Sequence, residues 1–117
     1  MDFEELKKQG SECSNLGEAL QLELSYPNDK GTPTEVQDYF RKLKVDFVIA
    51  AFIECGLDDS MLKFYNYSMQ GCCQVMFDRS YDTRIKNNLD NLSSLLNAPV
   101  DIRNRREETV VNIGESI

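Results

Sequence analysis

The stretch 45–55 is the most continuously apolar segment of the chain, and it constrains the fold more than any other. It is too short, and too interrupted by Asp46 and Glu54, to cross a bilayer, which needs about 20 apolar residues. Upstream apolar side chains recur at helical spacing, and Gly56 supplies the residue type that commonly ends a helix. The sequence therefore predicts one long helix over 34–55, buried on most sides in its second half, with both acids on its exposed edge.

Two further stripes of apolar side chains follow this segment. A spacing of three and four residues predicts a second helix over 58–77, which Asp58 or Asp59 would cap. This helix would form an antiparallel hairpin with the first one, because only a short link separates them. A third stripe predicts a helix over 83–96.

Three short segments carry strand patterns. Residues 20–26 alternate apolar and polar side chains, which is the period of a half-buried strand. A helix capped at Ser14 is the open alternative, but it would place Leu22 on the wrong face. The segments 99–103 and 109–113 predict a C-terminal hairpin, with a frayed tail as the alternative.

These elements predict one α+β domain, 1–117, in which the three helices pack against a small antiparallel sheet of the three strands. A chain of 117 residues fits a single domain, and its 41% apolar content suffices for a core. A small all-α bundle is the alternative fold class.

The charge balance favours some partners over others. Acidic residues outnumber basic ones 20 to 13, which gives a net charge of −7. The first 30 residues hold seven acids and three bases, so they carry −4 of this charge. We expect no direct binding to nucleic acid or to an anionic membrane, because both need Lys and Arg. A basic protein partner is favoured, although such an excess also serves solubility alone.

The four cysteines indicate a reducing compartment. Cys13, Cys55, Cys72 and Cys73 have neither the spacing of a disulfide framework nor that of a CxxC zinc site. Residues 1–5 lack the basic and apolar regions of a signal peptide. We therefore expect free thiols and a cytoplasmic protein.

The sequence lacks the usual equipment of an enzyme. It contains no His, which removes the common base of Ser and Cys hydrolases and the commonest metal ligand outside all-Cys sites. Its six glycines form no phosphate-binding motif, and the residues after Asp58 and Asp59 lack the alternating oxygen ligands of a calcium loop. We predict no catalytic residue, no cofactor and no metal site.

The function predicted from these observations is a non-catalytic acidic binding protein that occupies a basic site on a partner. Two versions fit: an immunity-protein type of inhibitor that covers a nuclease toxin, and a DNA mimic that covers a nucleic-acid-binding protein. The candidate partner-binding residues are the acids expected to be exposed: Glu4, Glu5, Glu12, Glu18, Glu23, Asp29, Glu35, Asp38, Asp58 and Asp59.

The alternative is a self-associating structural or adaptor subunit, for which a homodimer is possible. Its interface would include the apolar helix over 34–55 and the Met and Tyr side chains of the helix over 58–77.

Overall fold

The computed structural model describes residues 2–26, 33–57, 62–67 and 70–114, and for 62–67 it describes the backbone. The elements in chain order are α1 Phe3–Ser11, α2 Leu16–Ser25, α3 Thr34–Glu54, β1 Leu62–Tyr67, β2 Cys72–Asp78, a 3₁₀ turn Arg79–Tyr81, α4 Asp82–Asn87, α5 Leu89–Leu96, β3 Val100–Asn104 and β4 Glu108–Gly114. The strands form an antiparallel sheet in the order β1-β2-β4-β3. None of the helices in these ranges is long and apolar enough to cross a membrane.

The α+β class is confirmed, and so are the long helix and the C-terminal hairpin. Helix α3 ends through two backbone hydrogen bonds: Leu57 N–H donates to Phe52 O and Gly56 N–H donates to Ile53 O, both at 2.9 Å. Gly56 has φ 77°, a conformation that glycine adopts without strain. Asp46 and Glu54 are exposed, as predicted.

The predicted strand at 20–26 is wrong, because this segment belongs to α2. The Asn15 side chain accepts from Glu18 N–H at 2.9 Å, and the Glu18 carboxylate accepts from Ser14 N–H at 3.1 Å. This reciprocal cap starts a helix. Leu22 is not misplaced in that helix, because α2 is buried on two sides and Leu22 packs toward α1.

The predicted helix at 58–77 is also wrong, because the residues described in this segment form β1, a turn at Gln70 and Gly71, and β2. In β2 the side chains of Cys73, Val75 and Phe77 are buried at every second residue, and all three face the helices. Gly71 has φ 83°, which marks the turn. The spacing of three and four was misleading, because aromatic and β-branched residues in the same segment favour strands. The predicted antiparallel helical hairpin with α3 is therefore wrong as well, whereas the predicted cap at Asp58 or Asp59 lies outside the described residues.

The predicted helix at 83–96 is two short helices, α4 and α5. They are separated at Asn88, whose side-chain amide donates to Arg84 O at 2.8 Å. The backbone N–H of Asn88 donates to Ile85 O, three residues back, so the α-helical ladder is interrupted.

Helix α3 is shared by two hydrophobic clusters. The larger cluster lies between the sheet and the second half of α3, and the smaller cluster lies between α1, α2 and the first half of α3. The larger cluster includes Leu20, Val48, Phe52, Phe77, Leu92, Val111 and Ile113. The smaller one consists of Leu6, Leu22, Val36 and Phe40.

This arrangement changes the interface proposed for a self-associating subunit. Val48, Ala51 and Phe52 of α3 are buried within the chain itself. The surface that the same stretch leaves exposed is mixed, with the apolar Ile53 beside the charged Glu54. The second helix of that interface does not form in the described residues, because β1 and β2 take its place.

Replacing Phe52 with Ala should cost about 3–5 kcal/mol of unfolding free energy, the usual range for a buried aromatic side chain. Phe52 is fully buried, and its ring centroid lies 4.9 Å from that of Phe77. The matched control is the next residue, Ile53→Ala, whose side chain is 55% exposed and should change stability by about 0.5 kcal/mol or less. Urea denaturation followed by circular dichroism measures both. Equal losses would contradict the assignment of the α3 faces.

Candidate functional site

A buried lysine lies where the two clusters meet. Lys44 is four residues after Phe40 and four residues before Val48, so the three side chains share one face of α3. Phe40 belongs to the smaller cluster and Val48 to the larger one. Only 1% of Lys44 is exposed, so its ammonium group needs an internal counter-charge.

That counter-charge is Glu23 of α2. The Lys44 Nζ donates to both carboxylate oxygens of Glu23, at 3.0 and 2.9 Å, and to Cys72 O at 3.1 Å. Glu23 Oε1 also accepts from Gly71 N–H at 2.8 Å, and Gln70 Nε2 donates to Glu23 O at 2.8 Å. This buried ion pair therefore joins α2, α3 and the turn before β2.

The buried ion pair has a structural role. Each charged group is held by its partner and by backbone groups, and neither lines the clefts found in the described part of the chain. In the described part of the chain, no group of three or more His, Cys, Asp or Glu residues could hold a metal ion.

An open cleft with a different character lies between α1 and α2. Its volume is about 420 Å³, and three acids and one base are among the residues that line it. The acids are Glu5, Glu12 and Glu18, and the base is Lys8. Gln9, Cys13 and Leu22 complete the lining. We call this region the acidic cleft.

The thiol of Cys13 reports the electrostatics of the acidic cleft. Its pKa is raised above the ordinary value, first by burial and then by the negative charges of Glu18 and Glu12. The Cys13 Sγ–H donates to Gln9 O at 3.5 Å. Glu12, at the end of α1, and Glu18, on α2, therefore act on one shared space around this thiol.

The ten predicted partner-binding acids have different environments. Six are exposed: Glu4, Glu5, Glu12, Glu18, Glu35 and Asp38. The Glu4 carboxylate pairs with Lys7 at 3.0 Å, and the Asp38 carboxylate pairs with Arg41 at 3.1 Å. Asp29, Asp58 and Asp59 lie outside the described residues.

Glu23 is the one clear error in that set. It was predicted as an exposed acid on a strand, but it is buried on α2 and neutralised by Lys44. Lys44 itself was missed, although its position on the apolar face of a predicted helix was a usable signal. A lysine midway between two core residues is either buried with a partner or extends its ammonium group to the surface.

Comparisons with protein-family models, with curated proteins and with solved structures found no match to this chain. The class of the molecule therefore rests on its own geometry. It is a small α+β domain with a four-stranded antiparallel sheet, a buried ion pair at the junction of its two clusters and an acidic cleft.

Replacing Glu23 with Gln should destabilise the protein by about 3–5 kcal/mol, because it leaves the buried Lys44 ammonium without a counter-charge. Chemical denaturation at neutral pH measures the change. The control is Asp46→Asn, which removes an exposed ion pair with Lys42 at 3.2 Å and should cost about 1 kcal/mol or less. The double variant Glu23→Leu with Lys44→Met should lose less stability than Glu23→Gln alone. If the two single variants are equally stable, the structural role of the pair is wrong.

We expect the protein to lose stability at alkaline pH because of the buried thiol of Cys73. Burial, as the largest cause, raises its pKa from 9.0 to about 11. Between these two values the unfolded thiol ionises while the folded one keeps its proton, so the unfolding free energy should fall as pH rises from 9.0 to about 11. Denaturation under reducing conditions, compared between the wild type and Cys73→Ala, measures this contribution. The variant should show a shallower fall, and identical pH profiles would contradict the prediction.

Proposed function

We propose that the protein is a non-catalytic binding protein whose acidic surface occupies a basic site on a partner protein. The acidic cleft is the observation that carries this proposal, because three carboxylates from α1 and α2 converge there with one base. Carboxylates presented in this way take the positions that phosphates would occupy in the partner's site. The interaction would be fast and sensitive to salt, because charge complementarity steers the encounter.

The charge around the acidic cleft remains negative after the buried ion pair is taken into account. Residues 2–26 contain six acids and two bases. Glu23 is neutralised by Lys44, which leaves five acids against two bases and a local balance of −3. The five acids that remain are exposed, and the one ion pair described among them, between Glu4 and Lys7 at 3.0 Å, also lies on the surface.

The floor of the acidic cleft is well supported. Leu6 and Leu22 are buried beneath it in the smaller cluster. Gly10 of α1 lies directly against the Tyr39 ring, so any side chain at this position would collide with the ring. A supported cleft favours binding because less conformational freedom is lost when the partner docks.

The partner would be either a nuclease toxin or a nucleic-acid-binding protein, and the interaction would take place in the cytoplasm. The free thiols of Cys13, Cys55, Cys72 and Cys73 suit a reducing compartment.

The triple variant Glu5→Gln, Glu12→Gln and Glu18→Gln should lose binding to a basic protein captured on the immobilised wild type at low salt. We expect the affinity to fall about tenfold or more, as measured by calorimetry, because three charges are removed from one cleft. Gln can still accept the hydrogen bond from Ser14 N–H that Glu18 accepts, so the α2 cap survives.

The control is Glu54→Gln, Asp90→Asn and Glu107→Gln, three exposed acids that do not line the acidic cleft. It changes the net charge by the same amount and should bind like the wild type. Equal binding by the two triple variants, or binding unaffected by about 0.5 M salt, would reject the proposal. Degradation of short double-stranded DNA by the released partner would identify the inhibitor version, and binding of this DNA without degradation would identify the mimic version.

A further inference from the structure

Strand β3 is one edge of the sheet. In the described part of the chain it pairs with β4 alone, from Val100 opposite Ile113 to Asn104 opposite Thr109. A sheet edge carries a row of backbone N–H and C=O groups that can pair with another chain.

Two backbone hydrogen bonds at the ends of β3 show which of its residues direct their backbone groups to the open edge. Gly114 N–H donates to Pro99 O at 2.9 Å, and Arg105 N–H donates to Glu108 O at 2.7 Å. In an antiparallel ladder hydrogen-bonded pairs alternate with non-hydrogen-bonded ones. Residues 99, 101, 103 and 105 therefore direct their backbone groups to β4, and Val100, Ile102 and Asn104 direct theirs to the open edge.

The side chains of β3 are divided between the two faces of the sheet. Val100 and Ile102 pack against the larger cluster on the helix side. Asp101 and Arg103 lie on the opposite face, where both are exposed and form an ion pair at 3.1 Å. The edge therefore carries one acid and one base, placed symmetrically on either side of Ile102.

We propose that β3 pairs with β3 of a second copy of this chain, antiparallel and centred on Ile102. In this register Asp101 lies opposite Arg103 of the second copy, and Arg103 lies opposite its Asp101. Val100 and Asn104 exchange backbone hydrogen bonds across the two-fold axis, and Ile102 does so with its own equivalent. Each chain thereby satisfies the outward backbone groups of the other.

The charges select this register over its neighbours. A shift of one residue would place each residue whose backbone groups face the open edge opposite a residue whose backbone groups face β4. The hydrogen bonds of the ladder could then not form. A shift by two residues would bring Asp101 opposite Asp101, or Arg103 opposite Arg103, and like charges directly opposite are destabilising. Only the register centred on Ile102 combines a complete ladder with two attractive pairs.

The product would be a closed, two-fold dimer in which the two four-stranded sheets join into one continuous sheet. Strand β3 has only five residues, so the interface is small. We therefore expect a dissociation constant of the dimer in the micromolar range. None of the β3 residues lines the acidic cleft, so this inference and the proposed function can be tested separately.

A charge-swap experiment tests the register by sedimentation equilibrium of the full chain, from about 10 μM to about 1 mM. The wild type should dimerise, while Asp101→Arg and Arg103→Asp alone should each weaken dimerisation about tenfold or more. An equimolar mixture of the two single variants should restore the dimer, because every cross-strand pair is again attractive. The double variant carrying both changes should also dimerise, at unchanged net charge.

A backbone variant tests the ladder independently of charge. Asn104→Pro removes an N–H that points to the open edge and makes no bond to β4, so dimerisation should be lost while circular dichroism stays native. Asn104→Ala keeps this N–H and should dimerise like the wild type. The inference is overturned if the wild type remains monomeric at the highest concentration. It is also overturned if folded single charge variants dimerise as well as the wild type, or if their mixture does not restore the dimer.

Discussion

The buried ion pair of Lys44 and Glu23 is the interaction on which the arrangement of the domain depends. Taking two charges out of water costs several kcal/mol for each ion, and the attraction between them offsets this cost only when the geometry is good and the remaining valences are filled. Here the ammonium contacts both carboxylate oxygens, and backbone groups of Cys72 and Gly71 form further hydrogen bonds with the ammonium and the carboxylate, respectively. These requirements hold α2, α3 and the start of β2 in one relative position. An apolar contact would be less selective, because it tolerates sliding.

The acidic residues of this protein thus serve different purposes according to their surroundings. Glu23 forms a buried ion pair with Lys44, and Asp101 forms an exposed ion pair with Arg103, two residues away. Glu12 and Glu18 both lie at the acidic cleft, where burial and then the charges of Glu18 and Glu12 raise the pKa of the Cys13 thiol. The net charge alone does not distinguish these cases. The separation of neutralised and unneutralised acids is what turns a general acidic excess into a defined surface.

The sequence-based predictions were accurate where the deciding signals lie close together in the sequence, and less accurate where distant contacts decide the structure. Helix α3 was predicted almost to the residue, because its apolar period and the glycine at its end are local signals. The β3–β4 hairpin was predicted for the same reason, since its strands are close in sequence. Segment 20–26 was assigned to a strand because one buried face was assumed, whereas α2 is buried against two clusters. Segment 58–77 matched a helical period by coincidence of its spacing, and pairing of β2 with β4 decided in favour of strands.

The sequence by itself determined the α+β class, the limits of α3, the absence of histidine chemistry and the acidic excess near the N-terminus. These follow from local periodicity, capping and composition, which need no knowledge of distant contacts. The tertiary structure alone decided that Lys44 is buried, that Glu23 is its counter-ion and that Glu5, Glu12 and Glu18 line one cleft. The reason is that Coulomb and desolvation energies depend on which groups meet in space, and Lys44 and Glu23 are 21 residues apart in the chain.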